Sequence, residues 1–204
     1  VRATSYVLAT GGLENARLLL TSNSQLPPGV GNQHDGVGRY YQDHLKLGNG
    51  ILRPGPALRD YAGMLKKYPS PNQSFCLSLA EPVCREHELL RHSYYFGPKY
   101  QHKKKRPLFR FPNRIHDGRG QISHYSVIFT TEQVPHRESR LTLSEQRDPL
   151  GMPRLNVNWK FTRQDHTSAQ ITCELMEKLL QDVGFGKITW PEGPPSVESM
   201  VDSA

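Results

Sequence analysis

The residues best placed to meet a ligand lie near the start of the chain. There Tyr6-Val7-Leu8-Ala9 runs into Thr10-Gly11-Gly12 and then into Leu13-Glu14-Asn15-Ala16-Arg17-Leu18-Leu19-Leu20. A short apolar run with aromatic and β-branched members reads as a buried strand. Leu13, Ala16 and Leu20, at i, i+3 and i+7, open a helix. A strand, a glycine turn and a helix in that order bring unpaired helix N–H groups and the positive end of the dipole to one point, which suits a phosphate or a ribose. Gly11 and Gly12 have no Cβ, so such a group can approach the backbone closely. The same pattern also serves as plain structural punctuation, and the G-x-G-x-x-G fingerprint of dinucleotide sites is absent.

Other reactive side chains form weaker constellations. Cys76, Cys84, His87 and His92 have metal-ligand chemistry, but their spacing matches no common zinc site, so no metal is expected. The three cysteines are an odd number without C-x-x-C spacing, which indicates neither a disulfide framework nor a zinc knuckle. Serine, histidine and aspartate are all present without the G-x-S-x-G elbow of a hydrolase. The formal net charge of +7 is concentrated at His102-Lys103-Lys104-Lys105-Arg106, followed by Arg110, Arg114 and Arg119 with Phe109 and Phe111 interleaved. That stretch reads as a solvated basic loop, or alternatively as a patch for an anionic partner.

The elements that must position these residues follow from composition and periodicity. With 36% hydrophobic and 22% charged residues the chain is polar but able to bury a core, so it is expected to fold with long loops. Asn23 to Gly36 carries enough proline and glycine to be a loop. No long element is expected between Leu45 and Gly120. Ile122 to Thr131 suits a strand. Arg140–Ser144 and Arg154–Phe161 alternate apolar with polar residues, and turn residues lie between them at Asp148-Pro149-Leu150-Gly151-Met152-Pro153, which predicts an antiparallel hairpin. Over Gln164 to Val183 the stripe Thr172, Leu175, Met176, Leu179, Leu180 and Val183 predicts a helix packed on a sheet, with Gly184 as its C-terminal cap. Prolines 191, 194 and 195 predict an extended tail. No apolar run approaches the roughly 20 residues that span a bilayer.

Taken in order, three blocks resemble one family. Tyr6 to Leu20 resembles the segment at which flavoenzymes of the glucose-methanol-choline (GMC) type re-enter their flavin domain. Gly36-Val37-Gly38-Arg39-Tyr40-Tyr41-Gln42-Asp43-His44 resembles that family's next block. Glu132-Gln133-Val134-Pro135, with Ser139-Arg140-Leu141-Thr142-Leu143-Ser144 and Asp148-Pro149-Leu150-Gly151, resembles a later one. Gly-Gly-Leu-Glu-Asn-Ala-Arg is the version found in its sugar-dehydrogenase-like members. The resemblance covers both ends of the chain well and Leu45 to Gly120 hardly at all.

The resemblance implies an α/β plus α+β fold: part of a Rossmann-like FAD-binding domain in residues 1–45, and a substrate-binding domain with a mainly antiparallel sheet packed on helices in residues 46–190. An extended tail in residues 191–204 would lead back to the flavin domain. It implies FAD as cofactor, with Ala9, Thr10, Gly11 and Gly12 lining its ADP half. Asn15, and with it Arg17, either contacts FAD or holds the helix to neighbouring strands. Asp43 and His44 would stand where the chain leaves the flavin domain, with His44 either fixing that junction or acting in catalysis. The implied reaction takes a proton from the CH–OH group of a small alcohol or sugar and passes a hydride to the flavin, using a histidine base. That base belongs to a segment expected beyond Ala204, so the chain is expected to be an inactive fragment that binds FAD poorly. Oxygen, a quinone or a cytochrome as electron acceptor stays open. Nucleic acid and a transmembrane segment are not expected. The implied protein is soluble, cytoplasmic or periplasmic.

Overall fold

The computed structural model describes residues 2–65, 74–100, 122–191 and 193–196. In chain order the elements are α1 (Gly12–Thr21), β1 (Leu45–Pro54), α2 (Pro56–Leu65), β2 (Phe75–Leu77), α3 (Glu81–Glu86), β3 (His92–Tyr100), β4 (Ile122–Thr131), β5 (Arg140–Arg147), β6 (Pro153–Asn158), α4 (Arg163–Asp182) and β7 (Gly186–Thr189). The fold is mixed α/β with a mainly antiparallel sheet packed on helices. Two compact units divide the chain: Val1–Asp43 with Gln133–Thr162, and His44–Glu132 with Arg163–Ala204. Residues 133–162 group with the N-terminal segment. The basic run 102–106 and the arginines at 110, 114 and 119 lie outside the described residues.

The first unit is built on the predicted helix and hairpin. β5 and β6 pair antiparallel from Arg140↔Asn158 to Leu143↔Leu155. Arg17 fastens α1 to them: its Nε donates to the Pro153 carbonyl at 2.8 Å and its terminal nitrogen pairs with Asp148. Asp148 in turn accepts the N–H groups of Leu150 and Met152, each at 2.9 Å, which closes the turn. The expected buried strand at Tyr6–Ala9 is not found. This segment has no strand partner among the described residues, and Tyr6, Val7 and Leu8 are 69%, 86% and 46% exposed. An isolated apolar run cannot hold strand geometry without a ladder to satisfy its backbone.

The second unit holds a five-stranded sheet in the order β2-β3-β4-β1-β7, with every neighbouring pair antiparallel. Three of these strands, β1, β2 and β3, and two helices lie where no long element is expected. β1 reads as a loop because it holds Gly48, Asn49, Gly50 and Pro54. The glycines are there for clearance: a Cβ on Gly50 would stand 2.6 Å from the Trp190 ring, and one on Gly48 3.0 Å. One sheet face is a ladder of large side chains in which Leu45, Leu47, Leu52, Tyr94, Phe96, Tyr125, Val127 and Phe129 are buried. Tyr94 stacks on Phe129 at 4.7 Å and Phe75 on Phe96 at 4.6 Å. Each such buried side chain contributes about 1.5–3 kcal/mol through apolar area removed from water.

α4 appears as predicted, but its buried stripe is rotated. Thr172, Met176 and Leu180 are buried as expected, together with Asp165, Ser168, Ala169 and Cys173, whereas Leu179 and Val183 are 44% and 48% exposed. The large residues already come from the sheet, so the facing helix supplies small ones. Two of them bond across: the Leu90 N–H donates to Ser168 Oγ at 2.8 Å and the Tyr94 hydroxyl to Cys173 Sγ at 3.2 Å. Beyond the helix, Phe185 N–H returns to Leu180 O at 2.8 Å and Gly184 N–H to Gln181 O at 3.0 Å, with Gly184 at φ 70°. This is the glycine C-cap that the sequence predicts.

Candidate functional site

The first unit contains an open cleft of about 470 Å³ lined by Gly12, Leu13, Ala16, Gly38, Arg39, Tyr41, Gln42, Asp43 and Leu141. Three stretches of sequence meet there: the start of α1, the segment 38–43, and β5. Close approach of the last two is enforced at Gly38. Its φ is +81°, the Leu141 N–H donates to its carbonyl at 2.8 Å, and a Cβ would stand 2.5 Å from the Leu141 oxygen. Any side chain at 38 would push segment 38–43 off the strand. Tyr41 N–H to the Ser139 carbonyl at 2.9 Å continues the attachment.

At the mouth of the cleft the glycine turn is open. Gly11 has φ +92° and ψ 161°, a conformation essentially reserved for glycine, and it offers the helix no side-chain cap. The first intrahelical bond is Asn15 N–H to Gly11 O at 2.9 Å, so the amides of Gly12, Leu13 and Glu14 precede the helical ladder. A Cβ on Gly11 or Gly12 would meet nothing within 4 Å. Among the described residues nothing in the packing therefore calls for glycine at position 12, where it costs about 0.5–1 kcal/mol relative to alanine inside a helix. Glu14 brings a carboxylate into the same turn. Donor amides beside an acceptor carboxylate suit a hydroxyl-bearing group such as a ribose better than a bare phosphate.

Asn15 is committed to the turn itself. Its Oδ1 accepts the Thr10 N–H at 3.0 Å and the Thr10 hydroxyl at 2.7 Å, and its Nδ2 reaches the Leu8 carbonyl at 3.5 Å. Thr10 and Asn15 together set the path of the chain into α1. Ala9, Thr10, Gly11 and Gly12 are all exposed along that path. Arg17, bound to Glu14, Asp148 and Pro153, serves α1 and the hairpin.

The charge lining the cleft is largely neutralised by neighbours. Arg39 pairs with Asp35 and, at 2.7 Å, with Glu138 Oε1, while Arg140 donates to Asp35 Oδ1 at 2.9 Å. Hydrogen bonds from Arg39 and then Arg140 hold the Asp35 carboxyl below the usual carboxylate range. Behind Tyr41, Trp159 stands edge-on at 5.9 Å, and its Nε1 donates to Gln133 Oε1 at 2.7 Å. Gln42 Nε2 donates to the Gln133 carbonyl at 2.8 Å. The sequence blocks around 36–44 and 133–144 thus form one hydrogen-bonded body.

His44 is exposed, is the first residue of the second unit, and does not line the cleft, whereas Asp43 does. The cleft residues Arg39, Tyr41, Gln42 and Leu141 were signalled in the sequence only as members of motif blocks, not as site residues. Among the described residues no group of three or more histidine, cysteine, aspartate or glutamate side chains could hold a metal. His92 is a buried structural residue: Nε2 accepts the Leu79 N–H at 3.1 Å, so the proton resides on Nδ1, which faces the Leu90 carbonyl at 3.0 Å. No helix among the described residues is long and apolar enough to cross a membrane. No family model matches the chain, and no curated protein matches it.

Proposed function

We propose that this chain carries the flavin-edge region and part of the substrate-binding region of an FAD-dependent oxidoreductase of the GMC type, acting on the CH–OH group of an alcohol or sugar. The observation that carries this reading is the cleft. The blocks of sequence that resemble the family come together in one unit, around a glycine turn that is open on its ligand side. The residues fit an edge contact with FAD, since the cleft has room for part of a dinucleotide and supplies backbone donors with Glu14 as an acceptor.

In this reading FAD, when bound, supplies the acceptor for the substrate's hydride. The chain's own residues bind and orient. Amides at Gly12 and Leu13 would hold the ADP half as hydrogen-bond donors, with Ala9, Thr10 and Gly11 lining it. Asn15 keeps the turn in shape through Thr10. Arg39 holds segment 38–43 against the hairpin through Asp35 and Glu138. His44, which follows Asp43 in the chain, is this chain's candidate for moving a proton.

The test is titration of FAD followed by flavin fluorescence polarisation. The chain should bind weakly, with a Kd on the order of 0.1–1 mM, in competition with ADP. Gly12→Val, which fills the open side of the turn, should weaken binding at least about fivefold. Binding unaffected by both ADP and Gly12→Val would refute the assignment.

A further inference from the structure

None of the five strands of the sheet contains an aspartate or a glutamate, yet they carry Lys46, Arg53, Lys99 and Lys187. Alternation along the strands puts all four opposite the aromatic core, and all four are exposed. Register then aligns most of them. Lys99 of β3 is paired with His124 of β4, and Arg53 of β1 with Lys187 of β7. Arg53 and His124 also occupy the ladder position next to the Leu52↔Tyr125 pair. Lys99, His124, Arg53 and Lys187 therefore form one row across four neighbouring strands, at a spacing of about 4.8 Å. Like charges directly opposite each other repel. Among the described residues, none of Arg53, Lys99 and Lys187 has a carboxylate in an ion pair.

We propose that this row binds an acidic oligosaccharide, a short chain of uronate sugars, with its carboxylates set along the cations. The row is linear and is left without counter-charge among the described residues, so it calls for a ligand with several anions in line. A second copy of this chain would bring the same positive face and is repelled. Single-stranded nucleic acid requires ring platforms interleaved with the cations. Among the described residues, the large exposed ring on this face, Tyr95, stands well back from the row, with Gly97 between it and Lys99 along β3. A short uronate chain carries one carboxylate on each sugar, so it brings several anions to the several cations of the row. Next to the row, Gly97, Ser126 and Ile51 make a low floor on which sugar rings can lie.

The choice of a sugar chain rests on the oxidoreductase reading, but binding to the row requires no flavin. The experiment is calorimetric titration of the 204-residue chain with tetragalacturonate at low salt, using maltotetraose and an oligothymidylate as comparisons. Expected are saturable binding of tetragalacturonate, none of maltotetraose, and weaker binding with added salt. Arg53→Gln with Lys187→Gln should raise the Kd at least about tenfold, and Lys99→Gln alone should weaken binding several-fold. Lys46→Gln, about 23 Å from Arg53 along β1, should stay within about twofold of the parent. All these positions are exposed, and unchanged circular dichroism shows that the variants fold. Absence of tetragalacturonate binding, equal binding of maltotetraose, or indifference to the row substitutions overturns the proposal. Tighter, row-dependent binding of the oligothymidylate overturns it in favour of nucleic acid. A negative result here with positive FAD binding leaves the oxidoreductase reading standing.

Discussion

Asp148 shows how much a single side chain carries. It closes the hairpin turn through the Leu150 and Met152 amides and joins the hairpin to α1 through Arg17. Those bonds, that of Arg17 first, hold its carboxyl below the ordinary value of 3.8, and Asp35 is lowered in the same way by Arg39. A carboxyl lowered in the folded state adds stability that is complete above its ordinary pKa and is lost as pH falls through the folded one. Denaturant midpoints should therefore be level with respect to these groups above about pH 5 and fall below pH 3.8. Asp148→Asn should be less stable near neutrality and lose less on acidification, and parallel acid limbs for parent and variant would contradict the assignment. The cysteines make an independent check. Burial pushes the Cys173 thiol up to about 12 and raises Cys84 more modestly, while Cys76 is exposed. A thiol reagent at pH 8 should label Cys76 first, and Cys173 only on unfolding. Removing the buried imidazole, His92→Ala, leaves the Leu79 N–H and the Leu90 carbonyl without their partner and should cost about 2–4 kcal/mol in chemical denaturation.

Gly38 matters at the scale of elements, because it lets segment 38–43 lie against β5. Gly38→Ala should destabilise by about 2 kcal/mol or more, from the positive φ together with the contact at the Leu141 carbonyl. It should also weaken any ligand of the cleft, and a loss under about 0.5 kcal/mol would mean that the segment is held by other contacts. The elements that could be read in advance are those whose period is carried by their own residues: α1, β4, the β5–β6 hairpin and α4. β1 could not, because its glycines answer to Trp190, a residue 140 positions away from Gly50. β2 and α3, with three and six residues, are too short for periodicity to register. The rotated face of α4 has a similar cause: leucines predict the buried stripe, but the aromatic ladder opposite selects Ala169, Thr172 and Cys173. Of the candidate site, the glycine turn was visible as a pattern. The lining from Arg39, Tyr41, Gln42 and Leu141 was not, since it depends on a pairing between residues about 100 positions apart.

For the molecule as a whole, the chain crosses between its two units at residues 43–44, 132–133 and 162–163. The first unit is thus assembled from the segments on either side of residues 44–132, which hold four of the second unit's five strands. That interleaving explains why the blocks resembling one family, distant in sequence, share a single body, and it makes the cleft the point on which the functional reading depends. The charge is just as unevenly distributed, with a sheet free of carboxylates in a chain of net charge +7. The most direct test of the flavin-edge reading is amide chemical-shift mapping of the chain as FAD is added. The amides of Thr10 to Asn15 and of Gly38 to Asp43 should shift together and saturate, and ADP should reproduce the shifts at the glycine turn. Absence of shifts in both segments at FAD concentrations on the order of several millimolar, far above the Kd expected here, would contradict the reading.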